Sequence, residues 1–198
     1  TDWTKAFAFD GSNDYAKQNV NDDETNPLRR SSNGSGQSWA VASVFKHSSG
    51  VGRRYVWSQF DDATSDHVGL FVQHDGRLGF IIGNYGNNED LYWEGSVLSN
   101  STYYGVYVDF DGGTTGGGSG STSDFYSRFR IRVVNFETGI VSTPSGSWSN
   151  SSGGLTGAIA GNLYVGTKYE TESEFKGKIA SVVATTLKEE LGVGSVLP

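Results

Sequence analysis

With 198 residues, 28 of them Gly and 13% of them aromatic, and a formal net charge of −7, the chain has the size of one domain and the composition of strands joined by tight turns. The acidic balance excludes a general nucleic-acid binder and an anionic-membrane binder, either of which needs a basic footprint. The absence of Cys removes disulfides, thiolate metal sites and cysteine nucleophiles together, and no apolar run reaches the length of a membrane span. Met is absent too, even at position 1, which leads us to expect a processed segment of a longer product or a chain that lost its initiator.

The first stretch with a recognisable pattern is "FAFDGSNDY" at 7–15. Asp10, Ser12 and Asp14 alternate as the oxygen ligands of a calcium loop do, but Tyr15 takes the place of the Gly such a loop needs, and no helix pattern flanks it. A polar, Gly-containing tetrapeptide between two extended runs reads instead as a hairpin turn. "SWAVASVFK" at 38–46 is a nearly continuous apolar run, expected to be a strand buried on both faces or central in its sheet. In "HVGLFVQHDGRLGFIIG" at 67–83, Asp75-Gly76 between alternating apolar residues predicts a two-residue hairpin.

"TYYGVYVDF" at 102–110 sets Tyr104, Val106, Val108 and Phe110 on one face. "DFYSRFRIRVV" at 124–134 does the same with Phe125, Phe129, Ile131 and Val133. The Gly/Ser-rich segment 112–123 between them predicts a mobile hairpin loop rather than a linker, because each flanking strand supplies half a core face and needs the other to bury it. Strands follow at 162–166 and 174–186, and "LKEELG" at 187–192 predicts one short C-terminal helical turn. About a dozen short strands with turn signals between them give an all-β chain: a two-sheet antiparallel β-sandwich of jelly-roll type over a single domain, 1–198.

The ordered set "AFAFDGSNDY", "SWAVASVFK", "VGLFVQHDGRLGFIIG", "STYYGVYVDFDG" and "NLYVGTKYETESEFKGKIASVVATTLKEEL" resembles the laminin-G-like, concanavalin A-like jelly-roll domains across nearly the whole chain. The resemblance implies a domain that binds glycans or proteins, often with calcium at the sandwich rim. It also admits glycosidases and purely structural modules of surface or virion proteins.

Three groups of residues carry chemistry. Arg128, Arg130 and Arg132 alternate with Phe129, Ile131 and Val133, so strand periodicity puts the guanidinium groups together on the face opposite the core. Pairing Phe110 with Phe125 would set Tyr107 opposite Arg128 and Tyr103 opposite Arg132 as cation–π pairs, leaving Gly105 opposite Arg130. The row is either a stabilising surface ladder or a shallow groove for a sugar or an acidic peptide, and Trp148 of the loop "SGSWSNSSGG" either folds back to cap the core, the commoner outcome, or stands exposed as a stacking platform. Trp39, Trp57 and Trp93, in strand-like contexts, are expected in the core. Calcium, if bound, has oxygen ligands on offer at Asp61, Asp62 and Asp66 or in Asn87, Asn88, Glu89 and Asp90, which otherwise form acidic turns. Glu170, Glu172 and Glu174 alternate like the acidic strand of a glycosidase, but Thr171 and Ser173 between them give no apolar face to anchor such a strand in a sheet.

The expectation is a non-catalytic binding or assembly module in a larger extracellular or virion-associated structure. Its partners would be a glycan, a protein surface, copies of itself or other subunits of a particle, with no nucleic acid and no membrane insertion. A virion decoration or fibre protein without a small ligand and a glycan-active hydrolase are the alternatives.

Overall fold

The structure is a computed structural model that describes residues 6–18, 38–60, 66–84, 91–111, 129–150, 161–169 and 173–185. Within them the chain forms thirteen strands and no helix. One antiparallel sheet has six strands in the order β1 (Phe7–Asp10), β13 (Lys176–Thr185), β3 (Trp39–His47), β8 (Tyr104–Phe110), β9 (Phe129–Asn135) and β10 (Val141–Ser142). The other has seven: β11 (Ser147–Asn150), β7 (Leu91–Val97), β6 (Arg77–Asn84), β5 (Asp66–Val72), β4 (Arg54–Phe60), β12 (Asn162–Val165) and β2 (Ala16–Gln18). The predicted all-β, two-sheet sandwich is the fold observed.

Alternation decides what lies between the sheets. Val41 and Phe45 of β3, Val106, Val108 and Phe110 of β8, and Phe129, Ile131 and Val133 of β9 meet Trp57, Val68, Leu70, Leu78, Phe80 and Trp93 from the opposite sheet in one core. Trp39, Trp57 and Trp93 are all in it, as their strand contexts predict. The apolar run at 38–46 becomes β3, almost wholly buried and paired on both edges, by β13 and by β8.

Four local expectations need correction. The stretch at 7–15 is a turn but no hairpin: β1 pairs with β13 and β2 with β12, so the turn carries the chain from one sheet to the other. Its acidic residues serve the turn itself, Ser12 N donating to Asp10 Oδ1 at 2.7 Å and Asp10 N to Asp14 Oδ2 at 2.9 Å. The β5–β6 loop spans three residues rather than two. Gln73 N donates to Arg77 O across His74, Asp75 and Gly76, and Gly76 takes a φ of +85°, which makes a turn ending in a left-handed residue and bulge. Trp148 stands in a strand, not a loop: β11 pairs with β7 and sets Trp148 opposite Trp93. The fourth correction is the register of β8 on β9, described below with the site it builds. The segment 112–123 and the helical turn at 187–192 lie outside the described residues.

The rim where β3 ends is held by a buried histidine. His47 Nε2 donates to Leu98 O at 3.3 Å, and His47 O accepts from Ser101 N at 3.1 Å. Burial disfavours the imidazolium and pulls the His47 pKa below its usual 6.5, outweighing the backbone acceptors that favour protonation. The unfolded chain therefore takes up a proton before the folded one does. Stability is undiminished above pH 6.5 and falls as the pH drops from there through the lowered folded value. Melting curves between pH 7.5 and 5 should show this slope, and His47→Gln, which cannot titrate, should flatten it.

Candidate functional site

The face of the six-stranded sheet that points away from the core is where the arginine row falls. Opposite residues in an antiparallel pair share a face, and Val108, Ile131, Phe110 and Phe129 point inward. Tyr107, Asp109, Arg130 and Arg132 therefore point outward. The register sets Tyr107 against Arg132, Asp109 against Arg130 and Phe110 against Phe129. The pairing expected from the sequence is thus displaced by four residues. The shift keeps every core residue inside, because an even slip preserves the alternation that burial enforces. It also corrects three expected neighbours: Tyr107 faces Arg132 and not Arg128, Gly105 faces Val134 and not Arg130, and Tyr103, beyond the end of β8, has Phe136 N donating to its carbonyl at 3.1 Å. The cation over the Tyr103 ring is Lys46, 5.1 Å from its centroid, rather than Arg132.

The two described arginines differ in how they are committed. Arg130 Nε donates to Asp109 Oδ1 at 2.9 Å, joining a half-exposed guanidinium, 51% exposed, to a carboxylate only 4% exposed. This contact holds the Arg130 pKa above its usual range. Asp109 was missed in the sequence, although a lone carboxylate in the buried strand "VYVDF" signals a partner, since a charge leaves water only when paired. Arg132 is half-buried, and among the described residues it has no carboxylate, hydrogen-bond or ring partner. Arg128 lies outside them.

Beside the pair the sandwich edge opens. β10 accompanies β9 only at Val133 and Val134, after which residues 143–146 leave for the other sheet. A recess of about 240 Å³ forms where they part, lined by Trp93, Arg130, Ile131, Arg132, Thr143 and Pro144. Pro144 also borders a second recess of about 280 Å³, with Val97, Leu98, Tyr104 and Ile140. A planar guanidinium, a second one fixed by Asp109 and an indole beside a recess can receive an anionic group bidentately and an apolar substituent next to it.

The other candidates fare differently. Asp66 opens β5 opposite Asn84, while Asp61, Asp62, Asn87, Asn88, Glu89 and Asp90 lie outside the described residues. Among the described residues no three carboxylates or imidazoles gather as a metal site would require. Glu174 precedes β13 in a loop, where its carbonyl accepts from Arg54 Nη1 at 2.7 Å; Glu170 and Glu172 are outside the described residues.

Solved structures share this architecture. The CBM40 carbohydrate-binding module of Ruminococcus gnavus IT-sialidase, bound to α2,3-sialyllactose, matches over 91% of this chain and 97% of its own, with TM-score 0.54 and 10% identity. The LG1-3 region of the laminin α2 chain matches over 87% of this chain with TM-score 0.54 and 13% identity. The fold is the laminin-G-like jelly roll. NanB sialidase from Streptococcus pneumoniae also matches, over 98% of this chain, with TM-score 0.52 and 11% identity. The jelly roll seen here spans only 30% of the laminin structure and 27% of the sialidase. No protein-family profile matches the sequence, and no curated protein matches it.

Proposed function

We propose that the chain is a non-catalytic glycan-binding module that holds an acidic sugar on the outer face of the six-stranded sheet, with Arg132 as its anchor. The observation that carries this reading is the asymmetry of the two arginines. Asp109 takes up Arg130, whereas the half-buried Arg132 beside Tyr107 and the recess at Trp93 has no counter-charge among the described residues. A carboxylate or sulfate on a sugar ring supplies that charge, and Arg binds it in a planar, two-bond geometry that Lys lacks. The fold supports the reading, since one structure that shares it is a sialidase module carrying sialyllactose. A catalytic role has no comparable support: a retaining glycosidase needs two carboxyl groups roughly 5 to 5.5 Å apart across the bond it cuts, and the carboxylate that faces the arginine row across the strand pair, Asp109, is tied to Arg130. The setting we propose is extracellular, on a cell surface or a virion, as one unit of a larger assembly.

Calorimetric titration with sialylated, uronic-acid and sulfated oligosaccharides beside their neutral counterparts tests the reading. At least one acidic sugar should bind, and Arg132→Ala should weaken it at least about tenfold, the scale of one lost charge-assisted contact. Arg132→Lys should recover part of the loss. Equal affinity for acidic and neutral sugars, or an unchanged affinity in Arg132→Ala, would overturn it.

A further inference from the structure

We infer, building on the Arg132 reading, that the ligand is an oligosaccharide whose acidic sugar is linked to a neutral one, and that the recess at Asn135 and Ile140 receives the neutral sugar. The two recesses follow one another along the same seam of the sandwich. β7 gives Trp93 to the first and Ser96 and Val97 to the second, while β9 gives Arg132 to the first and Asn135 to the second. Pro144, half-buried where the chain crosses from β10 to β11, is a wall of both. Neither recess alone, at about 240 and 280 Å³, reaches the roughly 300 Å³ at which ligand pockets begin, whereas the two together fall within the range of such pockets. Arg132 and Asn135, three residues apart on β9, are separated by about 10 Å of strand, a span that two linked pyranose rings cover and one does not.

The second recess has the chemistry of a neutral-sugar site. Among the described residues no charged side chain lines it: Leu78, Val97 and Ile140 give it apolar walls, and its polar groups are hydroxyls and the amide of Asn135. That amide is fixed. Asn135 Oδ1 accepts from Glu137 N at 2.9 Å and from Thr138 N at 3.3 Å, which leaves Nδ2 as a donor with no acceptor among the described residues. A donor held by its own turn inside apolar walls is positioned for a ligand hydroxyl, and a few fixed polar groups in an apolar recess are what orient a small ligand. Ile140, 62% exposed, stands beside this donor. The C–H face of a sugar ring covers such a side chain while its hydroxyls meet the amide. The first recess carries both guanidinium groups and the second carries no charge, so the order is set: acidic residue at Arg132, neutral residue at Asn135.

Calorimetric titration of the full chain with paired probes tests this: α2,3-sialyllactose beside the methyl glycoside of N-acetylneuraminic acid, and uronic-acid and sulfated disaccharides beside the methyl glycosides of their acidic residues. For at least one pair the oligosaccharide should bind at least about tenfold more tightly, and Arg132→Ala should weaken both members. Asn135→Asp keeps the acceptor of the turn and removes the Nδ2 donor, while Ile140→Ala removes part of the apolar wall at an exposed site. Each should cut the advantage of the oligosaccharide to about threefold or less, with the melting temperature close to that of the wild type. Equal affinity for both members of every pair would overturn the inference, and so would an advantage that survives both substitutions. An octyl glycoside of the same acid that gains as much as the oligosaccharide would overturn it too, since the recess would then take an apolar chain rather than a sugar. Probes that bind equally and still depend on Arg132 remove the second recess and leave the Arg132 site standing. Probes that do not bind at all remove the Arg132 site and the second recess with it.

Discussion

Gly177→Ala is expected to cost at least about 3 kcal/mol, or roughly 6 °C or more in melting temperature for a chain of this size. Gly177 is the second residue of the long strand β13 and pairs with His47 on one side and Phe9 on the other, so it fixes β13 between β3 and β1. Its φ is +145°, a conformation that L side chains rarely adopt, and a Cβ there would overlap the carbonyl oxygen of Lys46 and lie 2.9 Å from His47 Cα. Both obstacles are backbone atoms of a buried strand and cannot swing aside as a side chain would. The neighbouring Lys178→Ala changes no backbone demand and should cost little. A melting temperature for Gly177→Ala within about 1 °C of wild type would mean that β13 can rotate away from β3, contrary to this account.

What the sequence revealed and what it hid both follow from the two-residue period of a strand. Val106, Val108 and Phe110 announce their shared face because burial imposes alternation over many positions, and the same constraint made Trp39, Trp57 and Trp93 legible as core. Alternation fixes parity, however, and not register. Phe125 and Phe129 satisfy the pattern equally well, so the partner of Phe110, and with it the partners of Tyr107 and Arg132, could be had only from the full set of long-range pairings. The turn at 7–15 failed for a related reason. Local sequence reports that the chain reverses, whereas which sheet receives it depends on Lys17 meeting Tyr164 and Ala8 meeting Lys178, contacts more than a hundred residues apart in the chain. The arginine row was legible as a face. That Arg130 is bound by Asp109 while Arg132 has no such partner among the described residues was hidden, because Asp109 comes from the neighbouring strand.

Trp39→Ala should have an effect as large as that of Gly177→Ala, by a different route and with a consequence for the arginine face. The indole is a wedge between the sheets, with ring centroids 5.8 Å from Phe110, 5.9 Å from Phe129 and 6.4 Å from Phe80 of the opposite sheet. Phe110 and Phe129 themselves stack at 4.7 Å. Truncation leaves a cavity that these three rings cannot close without pulling β6 toward β8 and β9, and such cavities cost about 3–5 kcal/mol for an aromatic residue. Trp39→Phe keeps a ring in contact and should cost less than half as much. Urea unfolding distinguishes the two through midpoints at unchanged slope, and a Trp39→Ala loss under about 1 kcal/mol would show that the wedge bears little of the packing. The next outward row along these same strands is Ala40, Asp109 and Arg130. Slack at Phe110 and Phe129 therefore reaches the Asp109–Arg130 pair one residue away, and the sugar binding proposed for this face should weaken in folded Trp39→Ala and be kept in Trp39→Phe. The outward chemistry of this sheet is held in place by its inward packing, since each strand residue that carries a charge is positioned by the apolar neighbours on either side of it.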